Sequence, residues 1–163
     1  MRSGTRSRTA VTALLLTGAA LAQGGLRVAG NQSRYGARSL RPGFATLPVV
    51  MRLGAERTTD VAPRRLGPAC AGLVTVEPDY IVRTTARLPL LRFHVSSPGD
   101  TTLVVNTPDG RWRCDDNSGG GQNPLLDAVD AEPGQYDIWV GRRAAGAPLR
   151  ATLTVTERAA SRP

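Results

Sequence analysis

From residue 70 to residue 156 apolar and polar positions alternate in short runs separated by Pro/Gly turns, and a period of two is the mark of β-strands. The predicted strands are Cys70 to Val76, Tyr80 to Thr85, Leu90 to Ser96, Thr101 to Asn106, Arg111 to Cys114, Leu125 to Val129, Gln135 to Gly141 and Leu149 to Thr156. In the third, Leu91, Phe93 and Val95 share one face, with Arg92 and His94 on the other. In the seventh, Tyr136, Ile138 and Val140 face one way and Asp137 and Trp139 the other. Turns fall at Glu77-Pro78-Asp79, Ser97-Pro98-Gly99-Asp100, Pro108-Asp109-Gly110 and Glu132-Pro133-Gly134, where proline presets φ and glycine allows a left-handed backbone. About eight short strands at this spacing, with no capped helix and no internal repeat, predict an all-β chain built as an antiparallel β-sandwich.

The pattern divides the chain. Residues 1–22 read as a secretory signal: Arg2, Arg6 and Arg8 are followed by a short apolar run from Ala10 to Leu21, and Ala20-Leu21-Ala22 supplies the small-x-small site for cleavage after Ala22. The run is short for a membrane span, so the mature chain is expected to have no transmembrane segment and to be periplasmic or secreted; an uncleaved anchor is the alternative. Residues 23–65, rich in Arg and Gly, show no steady period and read as a flexible linker. Within it Phe44 to Leu53 is more apolar, and either packs on the domain as an extra strand or lies loose. The sandwich is assigned to residues 66–158, and residues 159–163 to a disordered tail.

Charge narrows the partners. The formal net charge of +8 splits into +3 for residues 1–22, +6 for 23–69 and −1 for 70–163. The predicted domain is not basic, so nucleic-acid binding is excluded as a function class. Every basic residue is arginine. The two cysteines, Cys70 and Cys114, behind an export signal suggest one disulfide closing a loop of about 45 residues, worth about 2–4 kcal/mol. The alternative is two buried thiols. Zinc is excluded because His94 is the only histidine.

Candidate chemistry concentrates between residues 100 and 127. Asp100, Asp109, Asp115, Asp116, Asn117, Asn123 and Asp127 surround one predicted hairpin, and such oxygens, with glycines at 119–121, suit calcium. The EF-hand spacing fails, since with Asp115 first the twelfth position is Leu126. The same residues are also ordinary turn formers. Asp116-Asn117-Ser118-Gly119-Gly120 resembles the nucleophile stretch of chymotrypsin-like peptidases. Yet Asn117 stands where that family has Asp, and His94, mid-strand, is the only base. Among the aromatic residues of the domain, Trp139 falls on the polar face beside Asp137, making these two the candidate ligand-binding residues.

An ordered set of segments resembles the bacterial pre-peptidase C-terminal domain: Pro68-Ala69-Cys70, Pro78-Asp79-Tyr80, Asp100 through Val105, Pro108-Asp109-Gly110, Trp112, Cys114-Asp115-Asp116, Asn123-Pro124 and Gly134 through Gly141. The resemblance spans roughly residues 68–157. It is strongest to small exported proteins in which the domain stands alone and which often carry a serine peptidase label from the proteases it accompanies. It implies a jelly-roll-like sandwich, non-catalytic, serving secretion, targeting or attachment, and in some relatives binding calcium. The expected function is therefore a non-catalytic binding module at the cell envelope. Its partner would be an envelope or extracellular protein or a polysaccharide, and its one candidate cofactor is calcium. The alternatives are a purely structural calcium-stabilised module and a serine peptidase.

Overall fold

The fold is that of a computed structural model, which describes residues 25–64 and 66–158. The expected signal, 1–22, and tail, 159–163, lie outside the described residues. The strands are β1 (Ala37–Leu40), β2 (Leu47–Leu53), β3 (Thr59–Asp60), β4 (Leu73–Val74), β5 (Tyr80–Thr84), β6 (Leu88–Ser96), β7 (Thr101–Asn106), β8 (Trp112–Asp115), β9 (Leu125–Ala131), β10 (Gly134–Arg142) and β11 (Leu149–Thr156). They form a seven-stranded sheet around β10 and a four-stranded sheet in the order β2-β11-β6-β9. Among the described residues no helix is long and apolar enough to cross a membrane.

The two sheets make a sandwich because their alternating apolar faces meet. Leu103, Val105, Tyr136, Ile138 and Val140 from the larger sheet share one buried core with Leu91, Phe93, Val95, Leu153 and Val155 from the smaller. Phe93 and Tyr136 bridge the sheets with ring centroids 6.0 Å apart. Burial drives the Tyr136 hydroxyl up to about 12, and that hydroxyl donates to the carbonyl of Glu132.

The segment read as a flexible linker is part of the fold. β2 pairs with β11 over seven register positions, and β1 and β3 join the larger sheet. Leu26, Val28 and Val61 are buried in a second apolar layer with Val74, Val104 and Trp139. The segment's low apolar density resembles that of a linker because these residues are spaced singly and are stabilised by contact with strands far along the chain. Two further corrections concern pairing. The β1–β5 ladder is parallel, whereas an antiparallel sandwich was expected. Of the strand predicted from Cys70 to Val76, Leu73–Val74 alone is strand. Gly72 has φ +104°, and a Cβ there would sit 2.7 Å from the carbonyl oxygen of Arg142, so the chain crosses the end of β10 too closely for any other residue.

The expected disulfide is present. Cys70 and Cys114 are bonded, joining the segment before β4 to β8.

Candidate functional site

The hairpin β7–β8 delivers Asp115 to one end of the sandwich, and this carboxylate organises the loop that follows. Asp115 Oδ2 accepts hydrogen bonds from the backbone N–H groups of Ser118 and Leu125, both at 2.9 Å, and Oδ1 accepts from the Ser118 hydroxyl at 2.6 Å. The backbone N–H of Ser97 donates to Asn123 Oδ1 at 3.0 Å, and that of Gly119 to the Asn123 carbonyl at 2.8 Å. Gly119 is packed so closely that a Cβ would lie 2.8 Å from the Asn123 carbonyl and 2.9 Å from His94 Cδ2. Asp116 pairs with Arg143 at 3.3 Å. Asn117, Ser118 and residues 120–122 are nonetheless exposed, so the loop is a solvent-facing tip on a fixed base.

The seven candidate calcium ligands are not brought to one place. Asp100, Asp115, Asp116, Asn117 and Asn123 belong to this end. Asp109 lies in the turn at the far end of β7, accepting from the Thr107 hydroxyl and pairing with Arg111 at 3.1 Å. Hydrogen bonding to Thr107 holds its carboxyl below the usual range despite slight burial. Asp127 lies on the four-stranded sheet in a bidentate pair with Arg92 at 2.6 and 2.7 Å, and the bond from Arg92 holds its carboxyl low. Among the described residues no three His, Cys, Asp or Glu side chains are grouped to hold a metal. Two oxygens at this end stand out. Asp100 Oδ1 and the Thr101 hydroxyl are buried without a hydrogen-bond partner among the described residues.

The arrangement around Ser118 is not that of an activated nucleophile. Its hydroxyl donates to the Asp115 carboxylate, whereas a triad needs the imidazole as the acceptor. His94 is half-buried on β6, and burial, then the neighbouring Arg92, shifts its ring below the ordinary histidine range.

Trp139 and Asp137 do share the face opposite the main core, as predicted, but that face is covered. Trp139 is 0% exposed, its ring tilted by 42° against that of Trp112 with centroids 5.5 Å apart, and it packs with Leu26, Val28, Val61, Leu66 and Cys70. Asp137 is 2% exposed. Its Oδ2 accepts from the Ala29 N–H and its Oδ1 from the Gln135 amide, both at 2.7 Å, while burial pushes its carboxyl up. A carboxylate so engaged pins the N-terminal segment to β10, and neither of the two candidate ligand-binding residues is open to solvent.

The fold also buries an ion pair that the alternation of apolar and polar positions does not mark. Arg57 and Asp79 pair at 2.5 Å with neither side chain exposed. Arg57 Nε also donates to the Val140 carbonyl, and the Val140 N–H donates to Asp79 Oδ2. Burial pushes Asp79 up to about 6 against the lowering effect of Arg57. The one signal in the sequence was an aspartate directly before the predicted strand Tyr80 to Thr85.

No family model matches the chain, and none of the curated proteins is significantly similar to it in sequence. Among solved structures, the chain is similar to the pre-peptidase C-terminal domain of a collagenase from Bacillus anthracis, with 14% identity and a TM-score of 0.47, covering 77% of this chain and 100% of that one. It is also similar to PliG of Aeromonas hydrophila, a periplasmic lysozyme inhibitor of g-type lysozyme, with 12% identity and a TM-score of 0.38, covering 74% of this chain and 96% of that one. At these identities neither likeness carries an activity to this chain.

Proposed function

We propose that the protein is an exported, non-catalytic binding module of the cell envelope that presents the 115–124 loop to an envelope or extracellular protein. The observation that carries this reading is the Asp115 carboxylate bridging Ser118 and Leu125 beneath an exposed tip. A loop fixed before binding loses less conformational entropy when it docks. The Cys70–Cys114 bond fits an oxidising compartment, and the Ser118–Asp115 hydrogen bond fits a loop built for contact rather than for nucleophilic attack. The test is cross-linked capture from envelope extract by the full oxidised chain and by an Asn117→Ala/Gln122→Ala variant. A partner held by the first and lost by the second, at unchanged melting temperature, supports the reading. Capture that is the same for both overturns it.

A second reading, a structural calcium ion at the same end, rests on Asp100 Oδ1 and the Thr101 hydroxyl, buried oxygens without partners among the described residues. Calcium takes six to eight oxygens, so these two would be joined by backbone carbonyls of the 115–124 loop. A calcium-dependent rise in melting temperature of about 10 °C at hundredfold excess over Kd, lost in EDTA and in Asp100→Asn, supports it. No shift rejects it.

A further inference from the structure

The outer face of the four-stranded sheet carries a charge arrangement that the fold does not need. Pairing of β2 with β11 sets Arg52 directly opposite Arg150. Both point to solvent, because their neighbours Met51, Leu53 and Ala151 point into the core. Residues opposite one another on a sheet have Cβ atoms roughly 5 Å apart, and like charges there are destabilising. Neither guanidinium has an acidic partner among the described residues. Glu56, which closes the neighbouring β2–β3 connection, is taken up by Gly54, Arg34 and Arg57.

Two features surround the pair. A shallow cleft of about 470 Å³ takes in the pair, Arg52 and Arg150 lining it together with Tyr35, Val50, Pro148 and Leu149. Along β11 the next rows on this face bring Thr152 against Val50 and Ser96, then Thr154 against Pro48 and His94. The hydroxyls of Thr152, Thr154 and Ser96 have no side-chain hydrogen-bond partner among the described residues. The remaining cation of the face, Arg92, is paired with Asp127.

We infer that this face binds an acidic polysaccharide, with one acidic group of the chain held between Arg52 and Arg150. Two guanidinium forks at cross-strand spacing match the oxygens of a carboxylate. The apolar side of the cleft takes the C–H face of the adjoining ring, and the strip of hydroxyls continues along β11, a path for a linear glycan. A single unpaired cation pair beside hydroxyls fits one acid per few sugar units better than it fits a membrane surface, which attracts through many spread cations. The inference is independent of the 115–124 loop.

The test uses the full oxidised chain in calcium-free buffer, with a galacturonate oligomer as probe, its neutral methyl ester as control, and phosphatidylglycerol vesicles as the competing surface. The expected result is binding of the acidic oligomer that weakens as salt rises, none of the ester, and at least tenfold weaker binding by Arg150→Gln. Arg52→Glu, which places an acid opposite Arg150, is expected to abolish binding while raising the melting temperature at low ionic strength. The inference is overturned if the acidic oligomer does not bind, if both variants bind it as the parent does, or if vesicles alone bind in an arginine-dependent way.

Discussion

Arg57 and Asp79 form an ion pair at 2.5 Å with both side chains fully out of solvent, tying the β2–β3 connection to the start of β5. Each also binds the backbone of Val140 in the central strand β10, so the pair holds the N-terminal third of the fold against the middle of the larger sheet.

Removing one partner of such a pair leaves a buried charge without compensation. Arg57→Met is expected to cost about 3–5 kcal/mol at pH 7, read by urea unfolding. A loss under 1 kcal/mol would mean that the pair does not form.

The pH dependence of this contact has a defined sign. The carboxyl of Asp79 lies near 6 in the folded chain, above its unfolded value of 3.8. The native state therefore holds the proton more tightly, and the contribution of Asp79 is fully present below about pH 4 and lost as pH rises through 6. Relative to Asp79→Asn, the parent protein is expected to lose about 3 kcal/mol of stability between pH 4 and pH 7. A parallel pH course for the two proteins would contradict this.

The disulfide closes a loop with a sequence separation of 44 and anchors the cover over Trp139. Cys70→Ser/Cys114→Ser is expected to be less stable by about 2–4 kcal/mol. Loosening of the cover would show as a red shift of tryptophan emission in the folded variant, and unaltered emission and stability would count against it.

A fragment starting at residue 66 lacks β1, β2 and β3. It leaves β11 without its seven-residue partner and uncovers Trp139. Such a fragment is expected not to unfold cooperatively, whereas one starting at residue 25 should. A sharp thermal transition in the shorter fragment would restore the view of residues 23–65 as a linker.

Gly119→Ala places a methyl group against the Asn123 carbonyl and His94, at 2.8 and 2.9 Å. The expected cost is about 1–3 kcal/mol, with chemical-shift changes confined to the 115–124 loop and His94. Free accommodation would show that the loop base is not fixed.

The sequence by itself determined the β class, the positions of most strands from Tyr80 onward, the inward faces of β6, β10 and β11, and the turns between them. Alternation of period two is a local property, and Pro-Asp-Gly or Pro-Gly turns need no distant partner. The cysteine pairing was also legible, because two residues allow one bond. Tertiary structure decided the rest. Trp139 lies on the face that alternation assigns to it, but whether that face meets water depends on Leu26, Val28 and Val61, more than 75 residues earlier. The apolar stretch from Phe44 to Leu53 was open between an extra strand and a loose segment, and only pairing with β11, roughly a hundred residues later, makes Leu47–Leu53 the strand β2. The seven candidate calcium residues all fall between positions 100 and 127, yet β7 carries Asp109 to one end and Asp115 returns to the other. Arg52 and Arg150 are unremarkable alone, and only the register of two strands far apart in the chain makes them a pair, because cross-strand proximity is fixed by pairing and not by spacing.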